Sequence, residues 1–220
     1  MRNLSIKAVL FDMDGVITDT MPYHFRAWKK VMKDNGIAVS RCEVFLREGQ
    51  PGRLTIKEIF AERGRAFDAR LAAKIIREKE SLFKRIVRPR FVPGARRFIA
   101  RLAGKGIRMG LVTGTAAHEV AQILPAALRR RFSVRVTGDD VRHGKPHPEP
   151  YLLALKKLGL RPRQAVVLEN APFGIHSAKK AGLMCIALQT SLPKAYLKDA
   201  DLVLSTYRQL ERKALFSLSP

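Results

Sequence analysis

The chain has 220 residues, 46% hydrophobic and 28% charged, enough for a full core in one domain or one domain with an insert. No apolar stretch approaches the ~20 residues that span a bilayer, and the first apolar run is too short and too acidic for a secretory signal, so a cytoplasmic protein with no membrane partner is expected. Lys and Arg number 42 against 19 Asp and Glu, a formal charge of +23 that draws phosphate-bearing ligands. The basic residues are scattered, Arg129 to Arg131 is the one run of three, and no basic-aromatic motif accompanies it, so a basic solvated surface is expected rather than specific nucleic-acid binding. Cys42 and Cys185 stand far apart with no metal-ligand spacing and read as free thiols.

In chain order, Ala8 to Phe11 form a continuous apolar run, the pattern of a strand covered on both faces. The run stops at Asp12, and Asp14 and Gly15 follow. Ligands of open α/β sheets bind beyond the carboxyl ends of strands, and two carboxylates this close repel unless a cation lies between them or one holds a proton. Alone, the pair reads equally well as turn or N-cap acids. Phe25, Trp28, Val31 and Met32 then recur at helical spacing up to a stop at Gly36. The same spacing continues through Val44, Ile56, Ile59, Leu71, Ile75 and Phe83 with no strand, until Pro89 and Pro93 break it. Past Pro93, helices and strands alternate. Helices are predicted over 95–103, 117–128 with Pro125 near its end, 148–158 and 174–181, with one more at the end. Strands are predicted over 109–112, 134–136, 165–168, 184–188 and 202–204. Such alternation predicts right-handed crossovers and an α/β fold with one parallel sheet, interrupted after its first strand by a helical segment.

Three further sites are expected at the ends of the predicted strands. Thr113-Gly114-Thr115 offers a hydroxyl and backbone amides to a phosphate oxygen, although a strand-ending Thr also reads as a cap. Lys145 stands between Gly144 and Pro146, which fix its backbone and make it a positioned point charge. Glu169-Asn170 ends another apolar run with oxygen donors suited to Mg²⁺. Together with Asp12 and Asp14 these are the groups that metal-assisted phosphoryl transfer to a carboxylate requires.

FDMDG, LVTGT, GKPHPEPY and ENAPFGIHSAKKAG, in that order and spacing, resemble the four motifs of the haloacid dehalogenase superfamily, in its helical-cap phosphatase and phosphomutase branch. The resemblance implies a Rossmann-like parallel sheet with helices on both faces and an inserted all-α cap domain. The division expected is 1–17 and 90–220 for the catalytic core and 18–89 for the cap. It further implies that Asp12 is the nucleophile forming an aspartyl phosphate, Asp14 the general acid and base, and Thr113 and Lys145 the holders of the transferring group. Mg²⁺ would sit on Asp12, Asp14 and the Glu169-Asn170 pair, where Asn170 replaces the commoner aspartate. Gly114, Thr115, Thr20, His24, Arg53 and Lys79 are the expected substrate and phosphate contacts, with His24 equally able to orient Thr20 or pack in the cap. GVITDTMPYHFRAWKK is particularly similar to β-phosphoglucomutase, but that enzyme's Lys-Asn pair after the second motif is here Thr115-Ala116-Ala117. The expected function is Mg²⁺-dependent hydrolysis of a small phosphorylated metabolite. A β-phosphoglucomutase-type mutase is the alternative enzyme, and a basic nucleic-acid-associated protein on a disabled fold the alternative of another class. A monomer is favoured.

Overall fold

The computed structural model describes residues 6–88 and 90–212; Pro89, and the chain ends of both predicted core segments, lie outside it. Six parallel strands are ordered β3-β2-β1-β4-β5-β6, with β1 at Ala8–Phe11, β2 at Arg108–Val112, β3 at Val134–Val136, β4 at Ala165–Glu169, β5 at Met184–Leu188 and β6 at Leu202–Leu204. All four residues of β1 are fully buried because both its faces are covered. Ala8 and Leu10 join the apolar cluster on one face, beneath α8 (Glu149–Leu158) and α9 (Pro172–Lys180). Val9 and Phe11 join the cluster on the other, beneath α5 (Ala95–Gly104), α6 (Ala117–Ile123) and α10 (Tyr207–Glu211). The strand order reverses at β1, so the carboxyl end of β1 is the topological switch point of the sheet.

Between β1 and α5 the chain forms α1 (Met21–Asp34), α2 (Arg41–Leu46), α3 (Gly52–Glu62) and α4 (Ala69–Ile86). Helix α1 lies against α2 and α4, and α3 against α4. Chain entry and exit are bonded together: the Asp19 amide donates to the Arg90 carbonyl at 2.7 Å, and the Val92 amide to Ile17 at 3.0 Å. This neck fixes where α1 and α4 rise above the strand ends.

Two predicted features differ. The helix expected over 117–128 is two, because Pro125 has no amide to donate and forces Leu124 into an extended conformation; α7 (Ala126–Arg129) starts after it. Lys145 does not end a strand: it lies in the loop after β3, past a short 3₁₀ turn at Gly138–Asp140. Both cysteines are free, Cys185 buried and Cys42 half-buried. Among the described residues no helix is long and apolar enough to cross a membrane.

Helix α2 is held by a capping box. The Glu43 amide donates to Ser40 Oγ at 3.1 Å, and the Ser40 amide to Glu43 Oε2 at 2.7 Å, while Arg63 from beyond α3 binds the same carboxylate. Against the upward push of burial, the Ser40 amide and Arg63 lower the Glu43 pKa to about 2. The unfolded chain therefore binds more protons between pH 2 and 4.5, so the contribution of Glu43 is full above its ordinary pKa and is lost as pH falls towards 2. For Glu43→Gln we expect a loss of up to about 1 kcal/mol at pH 7, kept small by solvent screening. Urea midpoints at pH 7 and pH 3 check this, the difference from the parent protein shrinking at the lower pH.

Candidate active site

The β1/β4 register pairs Phe11 with Leu168, which brings the residues that follow, Asp12 and Glu169, to the same edge of the sheet. Lys145 reaches the same point from its loop. Its ammonium is buried and donates to Asp12 Oδ1 at 2.6 Å, Glu169 Oε1 at 2.7 Å and the Val112 carbonyl at 3.1 Å, so all three protons are placed. Glu169 Oε1 also accepts from the Tyr151 hydroxyl at 2.7 Å, and Oε2 from the Asn170 amide at 3.0 Å. Gly174 makes room for this carboxylate, since a Cβ there would stand 1.9 Å from Glu169 Oε1. Burial opposes the Lys145 charge, but Asp12 and Glu169 outweigh it and push the ammonium pKa up. Burial also drives the Asp12 carboxyl well above its ordinary range; Lys145 pulls it down, whereas Glu169 and Asp14 add to the rise.

Asp14, two residues on, has neutral and imidazole partners. Thr20 Oγ1 donates to its Oδ1, Thr115 Oγ1 donates to Oδ2 at 2.9 Å, and His24 Nε2 lies 3.3 Å from Oδ1. Lys79 Nζ lies 3.2 Å from His24 Nδ1. An ammonium has only protons to give, so Nδ1 accepts and Nε2–H is left to donate to Asp14. Burial raises the Asp14 pKa, yet the bonds from His24, Thr20 and Thr115 reverse it and leave the carboxyl below its usual value. Thr20 precedes α1 without capping it, because its hydroxyl serves Asp14 instead.

The partners of both acids, Lys145, Thr115 and His24, line a cavity of about 380 Å³ between the helical insert and the strand ends. Thr113, Gly114, Thr115 and Lys145 line it from the sheet; His24 and Lys79 line it from the insert. Thr113 Oγ1 accepts from the Thr115 amide at 3.1 Å, which folds the loop at the end of β2. Arg53 is not brought to the site. Helix α3 begins at Gly52, which lines the cavity, and the next residue turns outward: Arg53 is exposed, with its guanidinium 5.4 Å from the Phe67 ring centroid. The arginines at the cavity are Arg47 and Arg142.

The fit of these residues to a cation can be judged from their bonds. Asn170 Oδ1 is buried with no hydrogen-bond partner, while Nδ2 of the same amide donates to Ser191 Oγ at 2.9 Å. An orphaned buried acceptor near an Asp12 carboxyl strained by neighbouring acids suits a hard cation with oxygen ligands. Glu169, the other member of the expected metal pair, accepts from protein donors on both oxygens. Tyr151 and Ser191 carried no local sign of these roles, although Tyr151 ends the GKPHPEPY motif.

The chain belongs to the haloacid dehalogenase-like hydrolases, whose profile matches residues 6–182. Among relatives, it is 33% identical over 185 residues to the phosphorylated carbohydrates phosphatase of Thermotoga maritima, covering 81% of this chain and 82% of that one. It is 31% identical to hexitol phosphatase A of Escherichia coli over 93% of each chain. The structure of CbbY from Rhodobacter sphaeroides in complex with phosphate superposes with a TM-score of 0.78 at 29% identity, over 97% of this chain and 100% of that one.

Lys145→Met leaves Asp12 and Glu169 buried without their counter-charge. We expect a loss of about 3–5 kcal/mol at pH 7 in metal-free buffer. Asp12, with its raised pKa, takes up a proton on acidification, so part of the loss returns as pH is lowered towards 5. Denaturant midpoints of both proteins across that range check the magnitude and the sign.

Proposed function

We propose that the chain is a Mg²⁺-dependent phosphomonoester hydrolase acting on a small phosphorylated metabolite through an aspartyl phosphate on Asp12. The observation that carries this reading is the Lys145 ammonium buried between Asp12 and Glu169, with Asp14 bonded separately to Thr115 and His24, and with Lys145, Thr115 and His24 all lining the cavity. Hydrolases of this family generally use Mg²⁺. When bound, it would be held by the Asp12 carboxylate, the Asp14 backbone carbonyl and Asn170 Oδ1, and would supply the charge neutralisation that lets an anionic phosphoryl group approach a carboxylate.

Asp12 attacks phosphorus in line with the departing ester oxygen. Lys145 gives up its longest bond, to the Val112 carbonyl, to donate to an equatorial phosphoryl oxygen, and the Thr113 hydroxyl and Gly114 and Thr115 amides serve the others. Asp14 is ionised in the free site, and a phosphate dianion beside it raises its affinity for a proton. It delivers that proton to the leaving oxygen and later takes one from the water that attacks the aspartyl phosphate. Thr20, Thr115 and His24 hold its carboxyl in place through both steps.

The division supporting this chemistry is a core of residues 1–17 and 90–220 with a cap of 18–89, the cap excluding water and contacting the substrate body. The names of the relatives support a sugar or polyol phosphate as substrate. The mutase reading lacks support: Ala116 and Ala117 carry no donor for a second phosphate, and Arg53 faces away. Two unpaired thiols suit the reducing cytoplasm.

Phosphate release from an aryl phosphate with and without Mg²⁺ tests the reaction class. We expect Asp12→Asn to lose at least about 10³-fold in rate; full activity in that variant would remove the nucleophile assignment. The metal ligand is tested separately. Asn170→Asp adds a negative charge at the orphaned oxygen, and the Ser191 hydroxyl can turn to donate to it. The Mg²⁺ concentration for half-maximal rate should fall several-fold, by about 1 kcal/mol of binding, with the saturated rate changing less. An unchanged or raised Mg²⁺ requirement in a titration of both proteins would refute the ligand role.

A further inference from the structure

Beyond the cavity, the loop that carries Lys145 exposes a second group of donors. His143 Nδ1 lies 2.9 Å from Glu149 Oε2, and His147 Nδ1 lies 3.9 Å from the same oxygen. The two rings stand 4.7 Å apart between centroids, and one donor atom of each residue lies within 4.8 Å of the others. Neither histidine lines the catalytic cavity. We propose that His143, His147 and Glu149 form a second metal site, for a borderline divalent transition ion of the Zn²⁺ class.

The carboxylate is already fixed. Its Oε1 accepts from the Arg142 amide at 2.8 Å and its Oε2 from the His143 amide at 3.0 Å, and the Arg142 amide bond keeps the Glu149 pKa below its usual value. The His147 backbone is fixed as well, its amide donating to the Gly144 carbonyl at 3.0 Å and its carbonyl accepting from Ser177 Oγ at 2.6 Å. Tetrahedral Zn²⁺ with ligands at about 2.0–2.1 Å needs neighbouring donors about 3.4 Å apart, so small side-chain rotations close the set. Two rearrangements follow. The His143 proton moves from Nδ1 to solvent-facing Nε2, freeing Nδ1 to ligate. His147 Nδ1 gives up the bond it accepts from the Glu149 amide at 3.2 Å.

The donor set decides the ion. Two imidazoles and one carboxylate suit Zn²⁺, Ni²⁺ or Cu²⁺, whereas Mg²⁺ requires oxygen ligands and would not compete here. Both imidazoles are exposed, so the ion enters from solvent and retains water at its open positions. Bound there, it ties together the two ends of the segment whose centre is Lys145.

The test titrates Zn²⁺ into the full chain, free of any histidine tag and in saturating Mg²⁺, by calorimetry and by competition with a chromogenic chelator. The parent protein should bind one equivalent. Asp12→Asn, which disables the catalytic metal position, should bind it equally well. His143→Ala and His147→Ala, both at exposed positions, should each weaken it by at least about tenfold. The proposal is overturned if no saturable binding is found, if the affinity survives the double His143→Ala, His147→Ala substitution, or if Asp12→Asn abolishes it.

Discussion

The ammonium of Lys145 is the group around which the strand ends are arranged. Asp12 and Glu169 close adjacent parallel strands at the switch point of the sheet, where both are buried. Left alone they would repel and demand water that the packed core excludes. A buried cation at 2.6 and 2.7 Å from the two removes that conflict, and its third proton satisfies the end of β2 through the Val112 carbonyl. One side chain therefore joins three strands at their functional ends. Glu169 is anchored in this arrangement by three donors, Lys145 and Tyr151 on Oε1 and its own following amide on Oε2.

The two aspartates share a turn and have opposite surroundings. Burial and neighbouring acids raise Asp12, whereas His24, Thr20 and Thr115 overcome burial and lower Asp14. Carboxylates whose environments push them apart in this way are suited to separate tasks, one as nucleophile and one as proton carrier. The source of the partners matters as much as their chemistry. Lys145 lies in a loop between β3 and α8, outside the helical insert, but His24 lies on α1 and Lys79 on α4, both in the insert. A displacement of those helices would alter Asp14 while leaving Asp12 paired, so the position of the insert and the proton step are physically linked.

The sheet and its acidic strand ends were legible in sequence because each is a local pattern: a buried parallel strand is a continuous apolar run, and a charge ends it where water begins. Thr113 and Asn170 could be found in the same way. Lys145 was legible through Gly144 and Pro146, though its place in a loop beyond β3 was not, because the 3₁₀ turn between has no apolar period. Arg53 was misplaced by one residue of helical rotation, a turn of about 100° that carries a side chain from the cavity to solvent. Tyr151 and Ser191 were silent because a hydroxyl at the end of a motif or in a loop shows nothing of its partner until the chain has folded. Pro125 was visible, but breaking a helix and ending one look alike in a pattern of apolar residues.

The loop before α3 approaches the core closely at Lys145, Gly114 and Gly144. Gly49, at φ +81°, lies over the aliphatic stem of Lys145, and a Cβ there would stand 3.0 Å from Lys145 Cδ. The positive φ favours glycine at this position, and a Cβ there would press on the Lys145 stem where the loop before α3 borders the cavity. The cavity volume of about 380 Å³ lies near the lower limit for ligand pockets, matching a compact substrate. Its walls offer Glu48 and Gln50 from the same loop and Trp28 from α1. They add an acceptor, an amide and an aromatic face, which recognise hydroxyl groups and the apolar side of a carbon chain, to the cations Arg47, Lys79 and Arg142 that line the same cavity. The glycine that brings the loop onto Lys145 thus stands beside Glu48 and Gln50 at the cavity wall, so one piece of backbone carries both the close approach and the polar lining.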